Sequence, residues 1–111
     1  MTEATTKLEL NVSDGGRWQV RSESATVCHL DLDRMLLKRA RGAGSPVLPH
    51  DGEWVQLVRI TSISHGDAGI VRVGDRHEFL TDPDPDSNDH RWWIPRTCTA
   101  IEPELTDDRV G

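Results

Sequence analysis

Three residues of this 111-residue chain stand at a spacing that suggests metal chemistry: His29, Asp31 and Asp33. An imidazole and two carboxylates are plausible ligands for a divalent ion. On an extended segment they share one solvent-facing row, about 7 Å apart, too wide for neighbours to converge on one ion. The expected role is the polar face of an amphipathic strand, with a metal-dependent enzyme as a distant alternative. Asp82, Asp84, Asp86 and Asn88 imitate the opening of a calcium loop. The imitation fails at its sixth position, Ser87 in place of glycine, and at its twelfth, Trp93 in place of a bidentate glutamate. No cofactor is implied.

Nucleophilic chemistry has no better footing. There is no Gly-x-Ser-x-Gly elbow. Cys28–His29 and Ser64–His65 are adjacent pairs, and on a strand adjacent side chains point to opposite faces. Cys28 and Cys98 are the only cysteines. Their separation does not fit a CxxC redox or zinc pair. Buried thiols are the expected state, with a cross-sheet disulfide as the alternative.

The residues left to form a contact surface are cations and indoles. Arg34, Lys38, Arg39 and Arg41 are a basic cluster suited to phosphates or an acidic partner. Trp92 and Trp93 cannot both enter one core if their segment is extended. Ile94 shares parity with Trp92, and a β-branched aliphatic is a usual core resident, so Trp92 is expected inward and Trp93 outward. Trp54, at the end of a long loop, is a further candidate. Such residues are enriched at binding hot spots.

These residues are positioned by a chain of alternating apolar and polar positions. Lys7–Val12 (Leu8, Leu10 and Val12 inward), Arg17–Ser22 and Thr26–Asp33 each read as a half-buried strand, separated by Asp14-Gly15-Gly16 and Glu23-Ser24-Ala25. Residues 34–41 allow a short helix capped by Asp33 or the return strand of a hairpin turning at Asp33-Arg34; the preceding strand's need for a partner favours the hairpin. Gly42 to Gly52 is an irregular connection. Trp54–Ser64 is a long strand needing a bulge where Leu57-Val58 breaks the alternation. Gly74-Asp75 predicts a type II′ hairpin joining Ile70–Val73 to His77–Leu80. Arg91–Ile94 and Thr97–Glu102 follow, separated by Pro95.

The expected fold is all-β: one antiparallel domain over 7–103, a small barrel or a two-sheet sandwich, with the helix at 34–41 as fallback. Residues 1–6 read as a leader and 104–111 as a tail. The balance of 13 basic and 19 acidic residues gives a net charge of −6, which disfavours a nucleic-acid binder. No run approaches the roughly 20 apolar residues of a membrane span, and Met1–Lys7 has no secretory h-region, so a cytoplasmic location is expected.

The pattern Trp18-x-Val20, His29-Leu-Asp-Leu-Asp33, Arg39 and Ile101-Glu-Pro103 resembles short uncharacterised β-rich proteins of actinobacteria and their phages. That resemblance implies a strand, a turn after the second Asp and a return strand, with no activity attached. The functional expectation is a non-enzymatic protein-interaction module, an accessory factor of phage or mobile-element origin engaging a host protein. A self-assembling phage particle component, such as a connector or decoration protein, is the alternative.

Overall fold

The computed structural model describes residues 7–44, 47–48, 50–84, 86 and 90–104. Over these described residues it is all-β, with nine strands and one 3-10 turn: β1 (Glu9–Asn11), β2 (Arg17–Ser22), β3 (Val27–Asp31), β4 (Leu36–Ala40), β5 (Trp54–Ser62), β6 (Ile70–Arg72), β7 (His77–Asp82), β8 (Arg91–Trp93) and β9 (Cys98–Pro103). Seven strands form one antiparallel sheet in the order β8-β7-β5-β4-β3-β2-β9, and β1 pairs with β6 in a second. The pair of sheets is a sandwich, not a closed barrel. Among the described residues no helix is long and apolar enough to cross a membrane.

The hairpin reading of residues 34–41 is correct. Asp31 faces Leu36 at the closed end of β3–β4, and the register runs to Val27 opposite Ala40. Asp31 Oδ1 accepts the Arg34 N–H at 3.2 Å, an aspartate-stabilised turn, and Met35 adopts φ 54° to close it. A short helix would have left β3 unpaired on this edge.

The bulge is also where the alternation broke. Gln56 and Leu57 pair with Asp82 and Thr81, the register shifts between Leu57 and Arg59, and Ile60 resumes opposite Phe79. Leu57 and Ile60 are both buried while Val58 and Arg59 lie outside. The extra residue changes which parity of β5 faces the core.

Leu10, Leu30, Ile60, Val71, Phe79 and Ile101 form the centre of the core, each at most 1% exposed. Leu10 pairs with Val71 across the small sheet, and main-chain bonds tie that sheet to the large one: Lys7 N–H to Ile101 O and Gly69 N–H to Ile60 O, each 2.9 Å.

Several expectations are corrected. Leu8 is 79% exposed, and Val12 opens the 3-10 turn instead of extending β1. Here Asn11 caps the turn, accepting the Ser13 N–H at 3.0 Å, so the chain bends before the alternation is complete. Gly74-Asp75 does not join a hairpin: β6 pairs with β1, while β7 pairs with β5 and β8. Gly74 does take a positive φ of 92°, but as third residue of a turn closed by Asp75 N–H on Arg72 O at 3.3 Å, the position where a type II turn takes glycine. The chain uses this turn to change sheets. Glu104, assigned to the tail, is bonded through its N–H to Arg17 O at 2.9 Å. The leader 1–6 and the tail from 105 onward lie outside the described residues.

Candidate functional site: a cleft beside the edge strand

Arg39 is where the site begins. It lies on the core-facing side of β4, yet a guanidinium cannot be left without acceptors in an apolar interior. Its Nη1 donates to Asp51 Oδ2 at 2.6 Å, and both side chains are nearly covered. Asp51 belongs to the irregular connection, and the same oxygen accepts the Leu48 N–H at 2.9 Å. Gly52 N–H donates to Arg39 O at 2.9 Å. Burial would raise the Asp51 pKa, but the Arg39 bond and the Leu48 N–H outweigh it and hold the carboxyl below its usual range. One ion pair thus folds the loop down over the end of the sheet.

Trp93 covers the other side of Arg39. Its ring lies 5.5 Å from the guanidinium carbon and stacks on Phe79 at 5.4 Å between centroids. Between this indole and the loop is a cleft of about 180 Å³, floored by Leu37, Val55 and Thr81 with Leu48 and Pro83 at its mouth. The volume suits a single bulky side chain. The lining combines Leu37, Leu48, Val55 and the indoles with the Arg39–Asp51 pair, and His50, Glu53 and Arg91 add further charged or polar groups.

The indole assignment is therefore reversed. Trp93 packs inward, while Trp92 is 55% exposed and Ile94 43% exposed. Ile94 lies beyond the last paired residue of β8, so its apolar character does not bring it into the core. Trp92 still borders the cleft.

The other predicted contact residues lie elsewhere. Trp54 is on the outer face of the large sheet, where Lys38 approaches its ring centroid to 5.0 Å and Arg17 to 5.6 Å. Arg34 is exposed in the β3–β4 turn and Arg41 is exposed beyond β4. The four cations do not form one patch, because strand alternation sends Lys38 and Arg39 to opposite faces.

His29, Asp31 and Asp33 are likewise dispersed. His29 Nδ1 lies 2.8 Å from Glu104 Oε1, and Asp33 Oδ1 accepts the Gly16 N–H at 3.0 Å. Asp31 is not on an exposed row but 4% exposed, beneath Arg17, whose Nε is 3.4 Å away. Both cysteines are buried free thiols. Burial drives the Cys28 pKa far up and pushes Cys98 up to about 11, so neither is a nucleophile at neutral pH.

A polar cluster not anticipated from sequence joins the two sheets. Ser62, Asp75 and His77 are all at most 4% exposed. The composition is that of a hydrolase triad, but the connectivity is not. Ser62 Oγ donates to Asp75 and not to the imidazole, and His77 Nε2 accepts the Arg72 N–H at 3.0 Å. The imidazole nitrogen that would serve as base is occupied by backbone. Asp75 also accepts N–H bonds from Ser64 at 3.2 Å and Arg76 at 2.7 Å. Burial opposes its charge, yet these bonds prevail and lower its pKa to about 2. The cluster pins the crossing turn. Its sequence signal is a polar residue at core parity, seen in His77-x-Phe79.

No family model, curated protein sequence or solved structure matches this chain.

Proposed function

We propose that the chain is a non-enzymatic protein-interaction module that seats an apolar side chain of a partner protein in the cleft beside Trp93. The observation carrying this reading is the cleft's construction: an indole, Leu37, Val55 and Leu48 around the Arg39–Asp51 pair, open at a sheet edge. An apolar anchor entering such a pocket is the usual core of a protein interface. The resemblance to short actinobacterial and phage β-proteins supports an accessory factor that engages a host protein, and two free buried thiols suit the cytoplasm.

The test is affinity capture with the wild-type chain and with Leu48→Asp, which places a carboxylate at the cleft mouth without touching the core. A protein captured by the first and lost with the second supports the proposal. Capture that is indifferent to Leu48→Asp, or large self-assembled particles formed without any partner, would overturn it.

A further inference from the structure

A polar groove of about 370 Å³, sharing no residue with the cleft, is lined by Glu23, Arg76, Arg96 and Thr97. Three chain segments meet there, and main-chain bonds fix them to one another. Glu23, in the β2–β3 turn, donates its N–H to Thr97 O at 3.1 Å. Gly74 N–H donates to Cys98 O and Cys98 N–H to Asp75 O, each at 2.8 Å, so the turn before Arg76 is tied to the start of β9. The groove is therefore held by the frame of the fold.

Two cations line it. Arg76 Nε donates to Pro95 O at 3.1 Å, which anchors the guanidinium and leaves Nη1 and Nη2 without acceptors among the described residues. Arg96 is exposed, and neither its guanidinium nor the Thr97 hydroxyl has a partner among the described residues. Arg17, Arg21, Arg39 and Arg72 are ion-paired, whereas Glu23 pairs with neither arginine of the groove it shares. Asp75, next to Arg76 in sequence, is buried, bonded to Ser62 and to the Ser64 and Arg76 N–H groups, and does not line the groove. Two guanidinium groups and a hydroxyl thus form a set of donors without an acceptor.

We propose that this groove binds a phosphate monoester, with Arg76 and Arg96 on the phosphoryl oxygens and the Thr97 hydroxyl as a third donor. Near neutral pH such a group carries about −1.5 to −2 charges, which two guanidinium groups balance. Its terminal oxygens take donors from three directions, where a carboxylate offers two oxygens in one plane. With Nε held by Pro95 O, Arg76 meets the ligand end-on through Nη1 and Nη2. Glu23 repels an anion but accepts hydrogen bonds, so it selects an ester whose organic part carries a hydroxyl or N–H beside the phosphate. The groove exceeds a phosphate group in size and leaves room for that part. A nucleic-acid strand fits less well, because the net charge of −6 repels a polyanion.

The test is NMR titration of the full chain, reading main-chain N–H and arginine Nε–H signals. The probes are inorganic phosphate, glycerol phosphate and a phosphoserine peptide, with acetate as control. Saturable shifts around Arg76 and Arg96 are expected, stronger with the two esters than with inorganic phosphate and weak with acetate. Preference between the esters distinguishes a small molecule from a modified partner chain, and either one supports the site. Arg76→Gln and Arg96→Gln should each weaken binding about tenfold, since each removes hydrogen bonds to a charged group. Arg76→Lys keeps the charge but loses the planar fork and the Pro95 bond, and should lose nearly as much. Glu23→Gln should tighten inorganic phosphate, and Arg59→Gln, an exposed charge elsewhere, should change nothing. Arg96 makes no side-chain bond among the described residues, so Arg96→Gln keeps the fold and stays informative if an Arg76 variant does not. The proposal is overturned by any of four results: no saturable shift at millimolar ligand, esters no tighter than inorganic phosphate, full binding by Arg76→Lys, or tighter binding of a single-stranded oligonucleotide. None of these substitutions touches the cleft, so the outcome is independent of the cleft reading.

Discussion

His77 Nε2 accepts the main-chain N–H of Arg72 at 3.0 Å, so a buried imidazole closes the turn that carries the chain between sheets. Protonation at Nε2 would replace the acceptor with a second donor. Burial, the larger influence, and the Arg72 charge together lower the His77 pKa despite Asp75 nearby. The neutral form is the folded form.

This has a pH signature. The unfolded chain takes up a proton at His77 near its ordinary value of 6.5 while the folded chain does not, so stability falls as pH drops below 6.5 toward the lowered folded value. Asp75 acts lower. Its charged form stabilises the fold fully above 3.8, and that contribution is lost as pH falls through about 2. Urea unfolding from pH 8 to pH 4 should show the first loss, and His77→Gln should flatten it. An unchanged slope in that variant would assign the titration to another group.

Asp75→Ala should cost about 3 kcal/mol or more at neutral pH, since it leaves the Ser62 hydroxyl and two N–H donors without their acceptor. Thermal unfolding measures this. Loss of under about 1 kcal/mol would mean that water replaces the carboxylate, and the cluster would not be the pin between the sheets.

The two adjacent indoles should separate cleanly. Trp93→Ala removes a ring stacked on Phe79 and lying against Arg39, and should destabilise by about 3 kcal/mol. Trp92→Ala should stay within about 0.5 kcal/mol. Chemical denaturation of the two variants makes the comparison. Equal losses would contradict the packing described.

Two glycines should fail for different reasons. A Cβ at Gly42 would lie 2.4 Å from the backbone of Ala25, so Gly42→Ala must push two segments apart, at about 2 kcal/mol or more. Gly74 has open space around it but a φ of 92°, so Gly74→Val should cost about 1–3 kcal/mol through backbone strain alone. Their melting temperatures test both.

Thiol labelling at pH 8 should find neither cysteine reactive in the folded chain and both reactive in urea, because burial raises both pKa values. A reductant should leave the melting temperature unchanged. Rapid native labelling would mean that the strands carrying them open locally.

Much of the large sheet was legible from residue pattern. β2 runs over the expected Arg17–Ser22, the β3–β4 hairpin forms, and the bulge falls at Val58. Alternation reports which side chains share a face. It does not report what covers that face: Asp31 is on the outer side of its strand yet lies buried beneath Arg17, and the parity shared by Trp92 and Ile94 is that of the outer face. A glycine turn reports that the chain bends, not that the flanking strands pair, and β6 leaves for the other sheet. Of the cleft, Arg39, Trp92 and Trp93 are legible in the sequence while Asp51 and Leu48 are not, because loop residues have no period to read.

The bulge at Val58 divides β5 into two segments that read the sheet in different phase. Val55 and Leu57 turn inward before it, Ile60 and Ser62 after it. A one-residue deletion there would not merely shorten the strand. It would remove the bulge and leave an unbroken ladder, Leu57 opposite Thr81, Arg59 opposite Leu80 and Ile60 opposite Phe79, with the buried residues of both halves on one face. Loss of the extra residue is thus the one length change that β5 can absorb, whereas a deletion at a regularly paired position would send one half of its buried residues to solvent.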